Sequence, residues 1–181
     1  MPELKDILYK VSLTSSRGNM NVDVKGICFD SRKAKPGYLF IAVKGTQSDG
    51  HDYISKTVDL GVQAVVCEKL PDHIDDKVTY VTVKNSAEAL GIIAGNFFGN
   101  PSEKIMLVGV TGTNGKTTVA TLLYKLFESL GQGSGLLSTV ENKIKGEVVT
   151  ATHTTPDPIQ LNELLRRMVD AGCTHVFMEV S

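Results

Sequence analysis

Residues 109–118 read GVTGTNGKTT, between the apolar run EKIMLVGV and a segment with helical periodicity. No other stretch limits the fold as strongly. A glycine-rich turn between a buried strand and a helix start lets backbone N–H groups point at phosphate oxygens. The helix N-terminus adds partial positive charge there. The usual phosphate-loop spelling places a glycine five residues before the Gly-Lys-Ser/Thr, and here that position is Val110. The glycines present are Gly109, Gly112 and Gly115. A turn that merely caps a helix is the bland alternative. The preceding strand, the following helix and three close glycines favour a phosphate loop: Lys116 reaches the β- and γ-phosphates of ATP, and the Thr117 hydroxyl binds Mg²⁺.

The rest of the chain reads as α/β. Leu4, Ile7 and Leu8 suggest a short amphipathic helix. VKGICFDS and YLFIAVKG read as strands joined by a KAKPG turn, and DGHDYISKTVDLG reads as a helix ended by Gly61. VQAVVCE and VTYVTV are strand-like, and in NSAEALGIIAGNFFG the spacing of Asn85 and Glu88 is that of a capping box. The breaker Gly99–Asn100–Pro101 is read as a linker (99–101) between an N-terminal domain (1–98) and a second domain (102–181). In the second domain Val119, Leu122, Leu123, Leu126, Phe127 and Leu130 form one apolar helical face. SGLLSTV follows as a strand, NKIKGEVVT as a hairpin, PDPIQLNELLRRMVDAG as a helix closed by Gly172, and THVFMEVS as a strand. The expected architecture is a small N-terminal α/β domain followed by an incomplete P-loop-type parallel-sheet domain. A chain stopping at the carboxyl end of such a strand is read as a truncated chain or proteolytic product.

The 181 residues carry a net charge of -1. Nothing there marks a broad nucleic-acid or membrane footprint, and no apolar run is long enough for a transmembrane helix. Cys28, Cys67 and Cys173 lie far apart in apolar runs, as reduced core thiols of a cytoplasmic protein do. His73 and His175 lack ligand spacing, and His51 is read as structural.

Gly112-Thr113-Asn114-Gly115-Lys116-Thr117-Thr118 resembles the ATP loop of the Mur ligases, the ATP-dependent amide-bond synthetases of peptidoglycan assembly. Folylpolyglutamate synthetases are similar at this loop but lack an N-terminal module like the one here. DSRKAKPGYLFIAVKGTQSDGHDYI resembles the UDP-binding domain of the MurE and MurF branches. THTTPDP and FMEVS are closer to MurE. The resemblance covers the whole chain and implies a ligase that adds a third amino acid to UDP-MurNAc-L-Ala-D-Glu through an acyl phosphate. Such an enzyme serves cell-wall growth, cell shape and division.

By that resemblance, Ser31, Thr46, Gln47 and Ser48 contact the UDP part of the substrate. His153, Thr154, Thr155 and Ser181 contact the muramoyl-peptide part, although some family members carry Asn at the position of His153. Residues 112–118 bind ATP, and Lys116 acts in catalysis. Glu179, at the end of an apolar strand, resembles the family's Mg²⁺-associated glutamate, so Thr117 and Glu179 are the expected metal contacts. The third amino acid, meso-diaminopimelate or L-lysine, is selected by a domain that in the family lies beyond residue 181. A monomer is expected, and the fragment by itself is expected to be inactive. Besides the related MurF ligase, two rival readings are a generic P-loop ATPase or kinase and a non-catalytic nucleotide- or UDP-sugar-binding module. UDP-sugar binding separates the first from a ligase, and catalytic turnover separates the second.

Overall fold

Short β-branched runs become the central strands of the first of two units, Met1–Phe97; the second is Phe98–Ser181. The computed structural model describes residues 1–46, 48–149 and 156–180. The first unit contains α1 (Leu4–Ile7), β1 (Leu13–Arg17), β2 (Gly26–Cys28), β3 (Tyr38–Ile41), α2 (Ile54–Asp59), β4 (Ala64–Cys67), β5 (Thr79–Val83) and α3 (Ser86–Phe97). Its strand order is β1-β5-β4-β3-β2. Strands β2 to β5 are mutually parallel, while β1 runs antiparallel to β5. Every residue of β2, β4 and β5 is buried, which suits a parallel sheet covered on both faces.

Phe40, Ile54, Val65 and Tyr80 share one core cluster. Fully burying side chains of this size contributes roughly 1.5–3 kcal/mol each. At α3 the Asn85 side chain accepts the N–H groups of Ala87 and Glu88 at 3.1 Å. The polar strand β1 has no apolar alternation for sequence reading to find. It is held partly by the Ser15–Thr82 hydroxyl pair at 2.6 Å.

The KAKPG turn does not make a hairpin. Gly26 pairs with Tyr38 and Cys28 with Phe40 in parallel register. A 3-10 turn, Ser31–Lys33, starts the return, with the Asp30 side chain accepting Arg32 N–H. Gly37, at φ +80°, completes it and donates its N–H to Gly61 at 2.9 Å.

The second unit opens with a 3-10 turn, Pro101–Glu103, so buried Pro101 lies inside that unit. There follow β6 (Met106–Val110), α4 (Lys116–Ser129), β7 (Ser134–Leu137), β8 (Asn142–Ile144), β9 (Glu147–Val149), α5 (Pro158–Asp170) and β10 (His175–Glu179). The order is β6-β10-β7-β8-β9. Strand β10 is parallel to both β6 and β7, and β8 and β9 add an antiparallel hairpin. The sheet is therefore mixed. Lys145 and Gly146, at φ +45° and +87°, give that hairpin two consecutive left-handed residues, as a type I′ turn requires.

One expectation is corrected. The six residues expected on one apolar face of α4, the last of them its C-cap Leu130, are not all buried. Ala120 and Tyr124 are buried, with Leu123 and Phe127 packed beside them against Leu136 and Phe177. Val119, Leu122, Leu126 and Leu130 are 46–63% exposed. The buried set is one i, i+3, i+4, i+7 stripe. Six apolar residues span a wider arc than one sheet face covers, and the remainder form a second stripe. Helix α5 starts two residues later than expected, at Pro158: Asp157 Oδ1 accepts Gln160 N–H at 2.9 Å, while Leu165 and Met168 are buried. Among the described residues no helix is long and apolar enough to cross a membrane.

Candidate phosphate and nucleotide sites

Strand β6 delivers the chain into the loop at Val110, and α4 leaves it at Lys116. Gly112 and Gly115 sit at φ +147° and +79°, conformations that L side chains adopt only with strain. Gly115 occupies the N-cap position and offers no side-chain acceptor. The N–H of Val119 is the first to close a helical turn, on Gly115 O at 2.9 Å. The amides of Lys116, Thr117 and Thr118 therefore precede the helical ladder, and a 14-residue helix stands behind them. Such an end attracts anions. Residues 111–115 are exposed, as are the Thr113 and Asn114 side chains in the loop and Thr118 at the helix start. Lys116 folds back over the loop, its Nζ donating to Gly112 O at 2.8 Å.

Glu179, at the tip of β10, meets this end of the helix. Its Oε2 accepts from Thr117 Oγ1 at 2.9 Å, from Thr139 Oγ1 at 3.1 Å and from Thr139 N–H at 3.3 Å. Desolvation acts to raise its pKa. The hydrogen bonds from Thr117 and Thr139 and the Lys116 charge outweigh it and hold the carboxyl below its ordinary range. Thr139 was missed in the sequence. The available signal was a hydroxyl two residues past a buried parallel strand, beside the strand end that carries Glu179. A threonine hydroxyl and a carboxylate in contact at a helix N-terminus are hard oxygen donors. They fit Mg²⁺, which commonly keeps waters and phosphates as its other ligands. Among the described residues no group of three or more His, Cys, Asp or Glu side chains forms a closed protein cage.

The first unit carries a cleft of about 570 Å³ lined by Phe29, Asp30, Ser31, Arg32, Val43, Gly45, Ser48, Gly50, Tyr53 and Lys56. It lies at the carboxyl ends of β2 and β3, the usual ligand edge of a parallel sheet. Ser31 is only 9% exposed, and among the described residues its hydroxyl has no hydrogen-bond partner. Arg32 grips Asp30 with two nitrogens at 2.8–3.2 Å. That hydrogen-bonded pairing, against some desolvation, keeps the Asp30 carboxyl low.

Residues 43–46 and 48–50 are drawn tightly together. Gly45 N–H reaches Ser48 O at 3.0 Å and Gly50 N–H reaches Val43 O at 2.9 Å. A Cβ on Gly50 would lie 2.7 Å from Val43 backbone atoms, so only glycine closes it. Ser48 lines the cleft, and Thr46 is exposed at the turn. His51 anchors this loop. Its Nδ1 lies 2.6 Å from Asp49 Oδ1, and its Nε2 accepts Glu68 N–H at 2.8 Å. With Nε2 accepting, the ring is the tautomer that donates from Nδ1 to Asp49. Glu68 Oε1 in turn accepts the N–H and hydroxyl of Ser86 at 2.9 and 3.0 Å.

The structure thus gathers Gly112, Gly115, Lys116, Thr117 and Glu179 at one site and Ser31 and Ser48 at another. Gln47, His153, Thr154, Thr155 and Ser181 lie outside the described residues.

A strand, a glycine turn, a Lys-Thr helix start and a carboxylate on the adjacent strand tip define the second unit as an α/β fold of the phosphate-loop type. Residues 23–98 match the family described as "Mur ligase family, catalytic domain", and residues 110–181 match the "Mur ligase middle domain". The chain belongs to the Mur ligase family. It is 61% identical over 180 residues, 99% of its length, to UDP-N-acetylmuramoyl-L-alanyl-D-glutamate--2,6-diaminopimelate ligase of Cytophaga hutchinsonii, and covers 37% of that protein. It is 50% identical, over 99% of its length and 37% of the relative, to the protein of that name from Parabacteroides distasonis. The chain thus spans little more than a third of these relatives. A solved diaminopimelate ligase of that name superposes with a TM-score of 0.76 at 22% identity, over 99% of this chain and 36% of that one. The MurF ligase of Thermotoga maritima, solved with ADP, gives 0.55 at 24% identity over 86% and 32%. Both likenesses are of fold.

Proposed function

We propose that this chain is the front part of an ATP-dependent carbon–nitrogen ligase that joins 2,6-diaminopimelate to UDP-MurNAc-L-Ala-D-Glu. The observation that carries the reading is the Thr117 hydroxyl on the Glu179 carboxylate, beside Lys116 at an uncapped helix start. The shared name of relatives at 61% and 50% identity supports the choice of amino acid over L-lysine.

In this reading the amides of residues 116–118 and the loop backbone hold the phosphates of ATP. Lys116 leaves Gly112 O and turns to the β- and γ-phosphates. Thr117 and Glu179 would hold Mg²⁺, which when bound neutralises charge on the transferring phosphoryl group. The D-Glu carboxylate attacks the γ-phosphorus and ADP departs. The resulting acyl phosphate is attacked by the diaminopimelate amine, giving amide and inorganic phosphate. No protein side chain need be a covalent nucleophile, because positioning and electrostatics supply the catalysis. Ser31, Thr46, Gln47 and Ser48 hold the UDP end, and His153, Thr154, Thr155 and Ser181 the peptide end. The protein acts as a cytoplasmic monomer. The buried free thiols fit a reducing compartment, and burial pushes Cys28 to about 12 and Cys67 to about 11.

Amino-acid-dependent phosphate release from the full-length protein tests this. ATP and UDP-MurNAc-L-Ala-D-Glu should support turnover with diaminopimelate and little with L-lysine. Equal turnover with both, or none, overturns the proposal.

A further inference from the structure

The cleft of the first unit is lined by three charged side chains among the described residues: Asp30, Arg32 and Lys56. Two of them neutralise each other, since the Arg32 guanidinium is committed to both Asp30 oxygens. Lys56 is exposed, and among the described residues its side chain has neither an ion pair nor a hydrogen bond. It stands on α2, three residues after Tyr53, which also lines the cleft. Residues three apart on a helical turn share a side, so the aromatic ring and the ammonium face the same space. With Asp30 and Arg32 balanced, Lys56 is the excess charge among the cleft's described side chains.

Resting on the nucleotide reading of this unit, we infer that Lys56 is a specificity-determining residue that recognises the diphosphate of the substrate. A nucleoside alone brings no charge and is served by hydroxyls such as Ser31 and by backbone groups. A diphosphate brings two to three negative charges. Among the described side chains of the cleft, the other cation, Arg32, is already held by Asp30. Lys56 supplies the missing cation as a point charge with a charge-assisted hydrogen bond.

The test is titration of the isotope-labelled 181-residue chain with uridine, UMP and UDP at fixed ionic strength. The readout is the amide shifts of Ser31 and Ser48, so that binding at the phosphate loop of the other unit does not count. UDP should bind roughly ten-fold or more tightly than uridine. Lys56→Gln should erase most of that ratio while leaving uridine affinity unchanged, Lys56→Arg should keep it, and Lys56→Glu should invert it. An unchanged UDP-to-uridine ratio in Lys56→Gln, with uridine still binding, overturns the inference and spares the nucleotide reading. Absence of shifts at Ser31 and Ser48 with any of the three in the unsubstituted chain overturns both.

Discussion

Each unit is built on a five-stranded sheet, yet they treat their apolar residues differently. In the first, three strands are buried at every position. Its exposed edge, β1, is the polar segment LTSSR, which suits an edge facing water. In the second, the edge strand β6 is apolar, with Met106 61% exposed, and α4 leaves Leu122 60% and Leu126 51% exposed. The first unit exposes apolar side chains too, Leu13, Leu60 and Leu70 at 41–44%, but keeps them off its central strands. The second completes the phosphate end of a site but leaves apolar surface in water, in a chain spanning 37% of its relatives. Residue type alone does not say what a substitution will cost: within each unit leucine is core at one position, Leu39 or Leu136, and surface at another, Leu60 or Leu122.

The comparison is sharpened most by chemistry assigned to one unit alone. In the full-length ligase, Lys116→Ala should lower turnover by roughly 10²–10³-fold, the usual cost of removing one electrostatic contact to a transition state. Affinity for the UDP-sugar should be unchanged. Phosphate-release kinetics and calorimetric titration measure the two. Parallel losses would mean that the units do not divide the ligands as proposed.

Stability gives the next test. Ile93 is fully buried in the first unit, so Ile93→Ala should cost about 2–5 kcal/mol there. Leu126→Ala on the exposed stripe of α4 should cost within about 0.5 kcal/mol in this chain. Hydrogen exchange resolved by unit reads both. A large loss of protection from Leu126→Ala would show that the stripe is covered and would break the contrast.

Local signals were legible where chain-local chemistry decides the structure. Asn85 caps a helix, Lys145-Gly146 turns a hairpin, and the glycines of residues 112–115 shape the loop. All of these act within a few residues of themselves. Thr117 and Glu179 are paired as metal contacts through the resemblance to the Mur ligases, and the structure brings the two side chains into hydrogen-bond contact. What escaped depended on distant chain. The partner of β1, the parallel register of β2 with β3, the exposure of four of the six residues expected on the apolar face of α4, and Thr139 are set by which strands lie adjacent. Periodicity within one segment does not encode that. The structural reading of His51 agrees with its two hydrogen-bond partners, Asp49 and Glu68, the second of them 17 residues away in sequence.

Acid should separate the units again, more gently. In the first, Asp30 is held low by Arg32, Asp49 chiefly by the His51 N–H, and Glu68 chiefly by the Ser86 N–H. In the second, among the described residues, only Glu179 is held low. A carboxyl depressed in the folded state adds stability above its unfolded pKa and loses it as pH falls through the folded one. From about pH 5 down to about pH 3, protection of first-unit amides should therefore decline more steeply. A steeper decline in the second unit would contradict this. Glu68→Gln should flatten the first unit's response.

The smallest expected effect is the most local. Ser31 is nearly buried, lines the cleft and has no protein partner for its hydroxyl among the described residues. Removing that hydroxyl takes away no internal hydrogen bond, so Ser31→Ala should leave the stability of the first unit nearly unchanged. If the hydroxyl meets the nucleotide, its loss removes one hydrogen bond, ~1 kcal/mol, and UDP-sugar affinity of the full-length protein should weaken several-fold. ATP affinity should hold, because the loop at residues 112–118 belongs to the other unit. Calorimetric titration of both ligands into the variant distinguishes the cases. A several-fold loss for UDP-sugar alone places the serine in the site. Unchanged affinity removes it, and matched losses for both ligands would mean that the two units report on one another.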